Sequence, residues 1–229
     1  MTSRLLPNRQ NLWDRHVSMV QQVMVGALIR LREREDLPEI ESEIDKSFYF
    51  DARNECFERN RNQQFLDFNL SQKSTNAPLN ESDLDEDFLD KIPDFTWRMH
   101  NNLATSPESM TLDLHIECKR LGENIKSNCF NKNYVAKGIF RFIEKKHRYG
   151  HGVADGIMIG YIQSMKSNDI ADAVNEYISE SNKEEIRPVT FDSQELEKNV
   201  MVHIQPVNRV EFEPNNFQLR HIWVNLCKS

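Results

Sequence analysis

Apolar side chains recur at helical spacing over the first quarter of the chain. Residues 7–35 show this pattern, and Pro7 suits a first turn, so one helix is predicted there. A second helix is predicted over 38–64, where apolar residues fall four positions apart from Ile40 to Ala52. Pro38 separates the two helices.

The remainder alternates between strand and helix patterns. Residues 93–99 and 110–120 both alternate apolar and polar side chains, and the turn residues between them predict a β-hairpin. The apolar run 153–164 is typical of a buried central strand. The other predicted elements are a strand at 65–72, helices at 133–147 and 167–181, and strands at 200–212 and 217–226. This order predicts a mixed α/β or α+β fold, with a sheet flanked by helices.

The hairpin carries the candidate chemistry. Glu117 and Lys119 leave the same face of one strand, and Asp94 begins the other. Antiparallel pairing would bring these three side chains together. Two neighbouring carboxylates repel unless a cation lies between them, and oxygen ligands favour Mg²⁺ or Mn²⁺. Lys119 could orient or help to deprotonate a water, which predicts a phosphodiester hydrolysis site. The alternative is a surface ion pair of Glu117 with Lys119 or Arg120.

Charge is distributed unevenly along the chain. The net charge is −7, yet residues 119–151 carry nine Lys or Arg against two Glu, whereas residues 79–94 carry seven acids. A basic segment beside a candidate site favours nucleic-acid binding. We expect the contacts to come from Lys132, Lys137, Arg141, Lys145 and Lys146.

The chain resembles the PD-(D/E)xK nuclease superfamily, through Pro93-Asp94 and Glu117-Cys118-Lys119. The resemblance implies a restriction-endonuclease-like core, in which a helix, three strands, a helix and a strand span residues 38–163. It divides the chain into an N-terminal helical extension, 1–37, and a nuclease-like domain, 38–229. "IECKRLG", "YVAKGIFRF", "GIMIGYI" and "LRHIWVNL" more loosely resemble uncharacterised nucleases of bacterial anti-phage defence.

The resemblance also implies roles for residues. Asp94, Glu117 and the backbone carbonyl of Cys118 would bind Mg²⁺ or Mn²⁺, and Lys119 would act on the water. An acid from the preceding helix would join them: Glu41, which shares a helical face with Ile44, or Glu43 as the second choice. The implied function is a metal-dependent nuclease acting on DNA. The alternative is a non-catalytic subunit that uses the same fold to bind nucleic acid or protein.

Several properties of the chain argue against particular classes of protein and cellular locations. The four cysteines lack CxxC spacing, which argues against a zinc site and a disulfide scaffold. No apolar run approaches the roughly 20 residues of a membrane span, and the N-terminus lacks a secretory signal. We expect a soluble, cytoplasmic protein. The sequence leaves open RNA as a substrate, the strandedness of the substrate, and endo- or exonucleolytic cutting.

The net charge also favours an assembly. A negatively charged chain repels a polyanion at long range, and cutting both strands of a duplex needs two sites. We therefore expect a homodimer or a subunit of a larger defence complex. The apolar stripe of the first helix, with Val17, Met24, Leu28 and Leu31, could pack on another chain. The alternative is that this helix packs on its own sheet.

Overall fold

The computed structural model describes residues 7–62, 67–78, 83, 87–123, 129–183, 186–196 and 198–227. Over these residues, five α-helices and one six-stranded open sheet form a mixed α/β fold. The helices are α1 (Pro7–Glu33), α2 (Glu41–Arg61), α3 (Phe130–Ala136), α4 (Ser167–Glu180) and α5 (Ser193–Leu196). The strands are β1 (Leu70–Gln72), β2 (Phe95–His100), β3 (Thr111–Leu121), β4 (Asp155–Ile162), β5 (Val200–Asn208) and β6 (Asn216–Asn225).

The sheet is mixed, with the order β1-β2-β3-β4-β6-β5. The first three strands pair antiparallel, β3-β4 and β4-β6 pair parallel, and β5-β6 is antiparallel. The predicted hairpin is confirmed: β2 and β3 pair from Phe95 opposite Ile116 to His100 opposite Thr111. The predicted central strand is also confirmed, since β4 is buried along its whole length.

Helices α1 and α2 cover one face of the sheet. Val17, Met24, Leu28 and Leu31 of α1 are all fully buried, in one apolar core with residues of α2 and the sheet. The Trp13 indole Nε1 donates a buried hydrogen bond of 2.8 Å to Asp155 Oδ2 on β4. The apolar stripe of α1 therefore packs on its own sheet, and its burial needs no second chain.

Helices α3 and α4 cover the other face. Ile170, Val174 and Ile178 repeat every fourth residue along α4 and are buried. They pack in a second apolar core that includes Tyr134 of α3 and Trp223 of β6. The sheet is thus packed between two apolar cores. This packing on both faces holds the ends of β2 and β3 in fixed positions.

The predicted helix over 133–147 is wrong in extent. The α-helix spans Phe130–Ala136, and a 3-10 turn follows at Ile139–Phe142. Gly138 causes the break: its φ of −124° and ψ of −83° are not helical, and an added Cβ would lie 2.4 Å from the Tyr134 carbonyl oxygen. The helix therefore ends before Gly138, whose backbone lies so close to the Tyr134 carbonyl that a residue with a Cβ would clash there.

The other boundaries differ less. Helix α2 ends at Arg61, and β1 begins only at Leu70; residues 65–66 of the predicted strand lie outside the described part of the chain, as does most of the acidic segment 79–86. Strand β5 ends at Asn208 rather than 212. Among the described residues, no helix has the length and apolar character needed to cross a membrane.

Candidate active site

The candidate site forms where β3 extends past the end of β2. Pairing with β2 stops at Ile116, whereas β3 continues to Leu121 paired only with β4 on its other side. Among the strands that the structure describes, none therefore pairs with the backbone groups of residues 117–121 that point toward β2. Buried backbone N–H groups need acceptors, and carboxylates are strong ones.

Two acidic side chains supply these acceptors. The Cys118 backbone N–H donates to Asp94 Oδ2 at 2.9 Å, and the Arg120 backbone N–H donates to Glu41 Oε2 at 3.0 Å. Asp94 directly precedes β2, and Glu41 is the first residue of α2. The unpaired end of β3 thus fixes an acid from the sheet and an acid from the helix beside it.

The Lys119 ammonium lies at the centre of this group. Its Nζ is 2.7 Å from Glu117 Oε1, 3.2 Å from Glu41 Oε1 and 3.3 Å from Asp94 Oδ2. It also donates a hydrogen bond of 2.5 Å to the Cys118 backbone carbonyl. Four oxygen atoms from four residues therefore surround one cationic group. We call Glu41, Asp94, Glu117, Lys119 and the Cys118 carbonyl the acid–lysine cluster.

Glu117 is the most buried member of the cluster. Its side chain is 0% exposed, and its Oε1 accepts from both Lys119 and Arg141, the latter at 2.6 Å. Its Oε2 is buried and has no hydrogen-bond partner within the described structure. An unsatisfied buried acceptor costs about 1–3 kcal/mol. The fold maintains this atom at a cost in stability, which favours a role in binding a ligand.

Burial and charge shift the pKa values of the two central groups. Burial, reinforced by the Asp94 carboxylate, raises the pKa of Glu117, although the cations of Lys119 and Arg141 oppose the shift. Burial alone would lower the pKa of Lys119, but the carboxylates of Glu117, Asp94 and Glu41 reverse this and raise it above its usual range. Lys119 is therefore protonated at neutral pH.

Asp45 is a further acid near the cluster that the sequence pattern did not identify. It is buried on α2, one turn after Glu41, and accepts a hydrogen bond of 3.0 Å from the Tyr161 hydroxyl on β4. The signal was present in the sequence, because Asp45 follows Glu41 by four residues and adjoins the apolar stripe at Ile44. Glu43, in contrast, is exposed.

The five predicted nucleic-acid contacts divide into two kinds. Arg141 lies in the 3-10 turn after α3, and its guanidinium is paired with Glu117. The four lysines, Lys132, Lys137, Lys145 and Lys146, are exposed on α3 and the segment after it. Lys146 pairs with Glu144 at 2.9 Å. Arg141 thus belongs to the surroundings of the cluster, whereas the lysines lie at the surface.

The oxygen atoms around Lys119 are of the kind that hard divalent cations bind, although the described residues contain no group of three or more His, Cys, Asp or Glu side chains placed to hold a metal ion. Three carboxylates and a backbone carbonyl offer oxygen atoms to one position, and Glu117 Oε2 is unpartnered within the described structure. The Glu41 and Asp94 side chains are 30% and 19% exposed, so solvent reaches the cluster from their side. The Lys119 ammonium and a metal ion would share the same oxygens.

Comparison with known proteins identifies no related family, protein or structure. No protein-family model matches the chain, and neither does any curated protein or solved structure. The functional conclusion therefore rests on the chemistry of the cluster itself.

Proposed function

We propose that this protein is a metal-dependent nuclease that hydrolyses phosphodiester bonds of DNA. The observation that carries the proposal is the convergence of Glu41, Asp94, Glu117 and the Cys118 carbonyl on one position. The succession α2, β1, β2, β3, α3, β4 supports a restriction-endonuclease-like core, since it has the element order that the sequence resemblance implies. A place in bacterial defence against phage rests on the looser sequence resemblance.

The residues of the cluster would divide the work. Glu41, Asp94, Glu117 and the Cys118 carbonyl would hold Mg²⁺ or Mn²⁺, which when bound stabilises negative charge on the phosphate and lowers the pKa of a bound water. Lys119 is protonated in the present arrangement. Its ammonium can therefore orient a water or contact a phosphate oxygen, roles that the raised pKa favours over proton abstraction.

Arg141 would act on Glu117 as a positioning residue. Its guanidinium fixes Glu117 Oε1 at 2.6 Å, while Oε2 has no partner within the described structure. Tyr149 supports the guanidinium, whose central carbon lies 5.9 Å from the ring centroid. The carboxylate is thereby held in one orientation before any ligand arrives, which is the preorganisation that catalytic groups require.

A non-catalytic subunit on the same fold is the second candidate. The observation that favours it is the engagement of Lys119 with all three acids, because such an ion-pair network could be purely structural. Divalent metal binding separates the two candidates, since a structural network needs none. For the nuclease candidate, a homodimer or a larger complex would supply the second site that cutting both strands of a duplex requires.

The nuclease proposal is tested by cleavage. Purified protein would be incubated with plasmid, linear duplex and single-stranded DNA, and with RNA, in Mg²⁺, Mn²⁺ or EDTA. Asp94→Ala, Glu117→Ala and Lys119→Ala should each lower the cleavage rate by a factor of roughly 10² or more, because each removes a group at the reacting centre. Glu43→Ala is the matched control on an exposed acid and should cut at the wild-type rate. Wild-type cleavage by Lys119→Ala would refute the assigned mechanism.

A further inference from the structure

The outward face of α2 has a composition unlike an ordinary solvent-exposed helix face. Lys46, Phe50, Arg53, Phe57 and Arg61 follow one another at intervals of three or four residues, and all five are exposed. They lie opposite the buried face of the same helix. We call these five residues the outward stripe of α2.

The two phenylalanines are the unusual members of the stripe. Phe50 is 50% exposed and Phe57 is 61% exposed, although phenylalanine is usually buried in a folded protein. Helix α2 already buries Ile44, Phe48 and Ala52 against the sheet, so the outward rings contribute little to the apolar core. The two rings are seven residues apart on one face of the helix, about 10 Å along its axis, and both are open to a ligand.

Each ring is paired with a guanidinium. The central carbon of Arg53 lies 5.2 Å from the Phe50 ring centroid, and that of Arg61 lies 6.0 Å from the Phe57 centroid. All charged members of the stripe are basic, in a chain of net charge −7. The neighbouring acids are Glu43 at one end and Glu58, which is 3.7 Å from Arg61, at the other. The stripe therefore alternates aromatic and cationic groups.

We propose that the outward stripe of α2 binds single-stranded nucleic acid. Unpaired bases stack on aromatic rings irrespective of sequence, and basic side chains between the rings contact the phosphates. A duplex offers its phosphates to the same cations but keeps its bases stacked inside, so it cannot use the rings. The cations of the stripe complement the negative charge of a polyanion. They disfavour a basic or apolar protein partner on this face.

The position of the stripe connects it to the acid–lysine cluster. Helix α2 contributes Glu41 to the cluster from its first turn, and at about 1.5 Å per residue the stripe extends for roughly 22 Å along the same helix. A bound strand would therefore run toward the proposed site of hydrolysis. The inference deepens the proposed function by naming the form of the substrate, but binding at the stripe requires no cleavage.

Fluorescence anisotropy with a labelled oligothymidylate and a labelled duplex, in EDTA, tests the inference. The double variant Phe50→Ala/Phe57→Ala should bind the single strand at least about 5-fold more weakly per ring removed, while duplex affinity changes much less. Arg53→Gln/Arg61→Gln should reduce the salt dependence of binding to both ligands. Ile29→Ala/Ile204→Ala, at positions 46% and 43% exposed on α1 and β5, is the matched control and should bind like wild type.

A second variant distinguishes the loss of the stacking rings from the loss of folding. Phe50→Trp/Phe57→Trp keeps a stacking surface at each position and should retain single-strand affinity. Unchanged affinity of the Phe→Ala variant, or an equal loss for duplex and single strand, would overturn the inference. So would unchanged oligonucleotide binding together with a shift in oligomeric state by light scattering, because the face would then be a protein interface. Stripe-dependent binding by a protein that cuts nothing would instead refute the nuclease proposal alone.

Discussion

Asp45 is a carboxyl group that the folded chain keeps away from water. Burial, together with the nearby charges of Asp94 and Glu41, raises its pKa from 3.8 to about 7, although the hydrogen bond from the Tyr161 hydroxyl opposes the shift. Between pH 3.8 and about 7, the Asp45 carboxyl therefore keeps its proton in the folded protein, whereas the same carboxyl is ionised in the unfolded chain. Over that window the contribution of Asp45 to stability falls as pH rises.

Replacing this acid should remove the pH-dependent loss. Asp45→Asn keeps a hydrogen-bonding side chain that does not titrate. Between pH 4 and pH 7, the wild type should therefore lose on the order of 3 kcal/mol more of its free energy of unfolding than the variant does. Urea denaturation across this range, in EDTA, gives the two curves. Parallel curves would show that Asp45 does not titrate in this window.

The sequence and the resemblance named every member of the acid–lysine cluster, with Glu43 as the alternative to Glu41, but they missed the contacts that surround it for a physical reason. Strand alternation and a hairpin suffice to bring Asp94, Glu117 and Lys119 together, because both are local patterns. The Arg141–Glu117 pair and the Tyr161–Asp45 hydrogen bond depend on how a turn and a helix pack on the sheet. Such contacts join residues remote in sequence, and no periodicity encodes them.

Helix α1 shows the same limit at the level of elements. Its spacing predicted a helix correctly, but an apolar stripe looks the same whether it faces its own sheet or another chain. The structure places it against the sheet, with Leu28 fully buried and its neighbour Ile29 46% exposed. The helix that the spacing predicted after β3 was too long, because the helical spacing continues across Gly138 although the backbone does not.

The two neighbours on α1 give a matched test of this packing. Leu28→Ala should lower the free energy of unfolding by about 2–5 kcal/mol, since it removes buried methyl groups and leaves a cavity. Ile29→Ala should change it by less than about 0.5 kcal/mol. Chemical denaturation of both variants measures the difference. Equal, small effects would mean that α1 does not pack on the sheet as described.

The exposed lysines around α3 carry a separate prediction. Changing Lys132, Lys137, Lys145 and Lys146 together to Gln should weaken binding to all DNA sequences alike. The slope of log affinity against log salt should also become shallower, by about 0.7–0.9 for each phosphate that the protein no longer neutralises. Binding titrations at several salt concentrations measure this slope. An unchanged slope would move the duplex-binding surface away from α3.

On the scale of the whole molecule, charge governs how a polyanion can approach. The net charge of −7 opposes capture at long range, while screening over about 8 Å at physiological salt lets a basic surface act locally. Because α1 uses its apolar stripe internally, a homodimer would have to form through another surface. On a duplex, an assembly would supply the two sites that cutting both strands needs, whereas a single strand bound along the outward stripe of α2 would need only one.

The proposed function requires the acid–lysine cluster to take a divalent cation at the oxygens that Lys119 now contacts. Mn²⁺ titration followed by electron paramagnetic resonance tests it directly on the wild type, Asp94→Asn and Lys119→Met. We expect weak Mn²⁺ binding by the wild type, loss of binding in Asp94→Asn, and about tenfold tighter binding in Lys119→Met, because the competing ammonium is gone. Absence of bound Mn²⁺ in both the wild type and Lys119→Met would show that these oxygens hold no divalent cation.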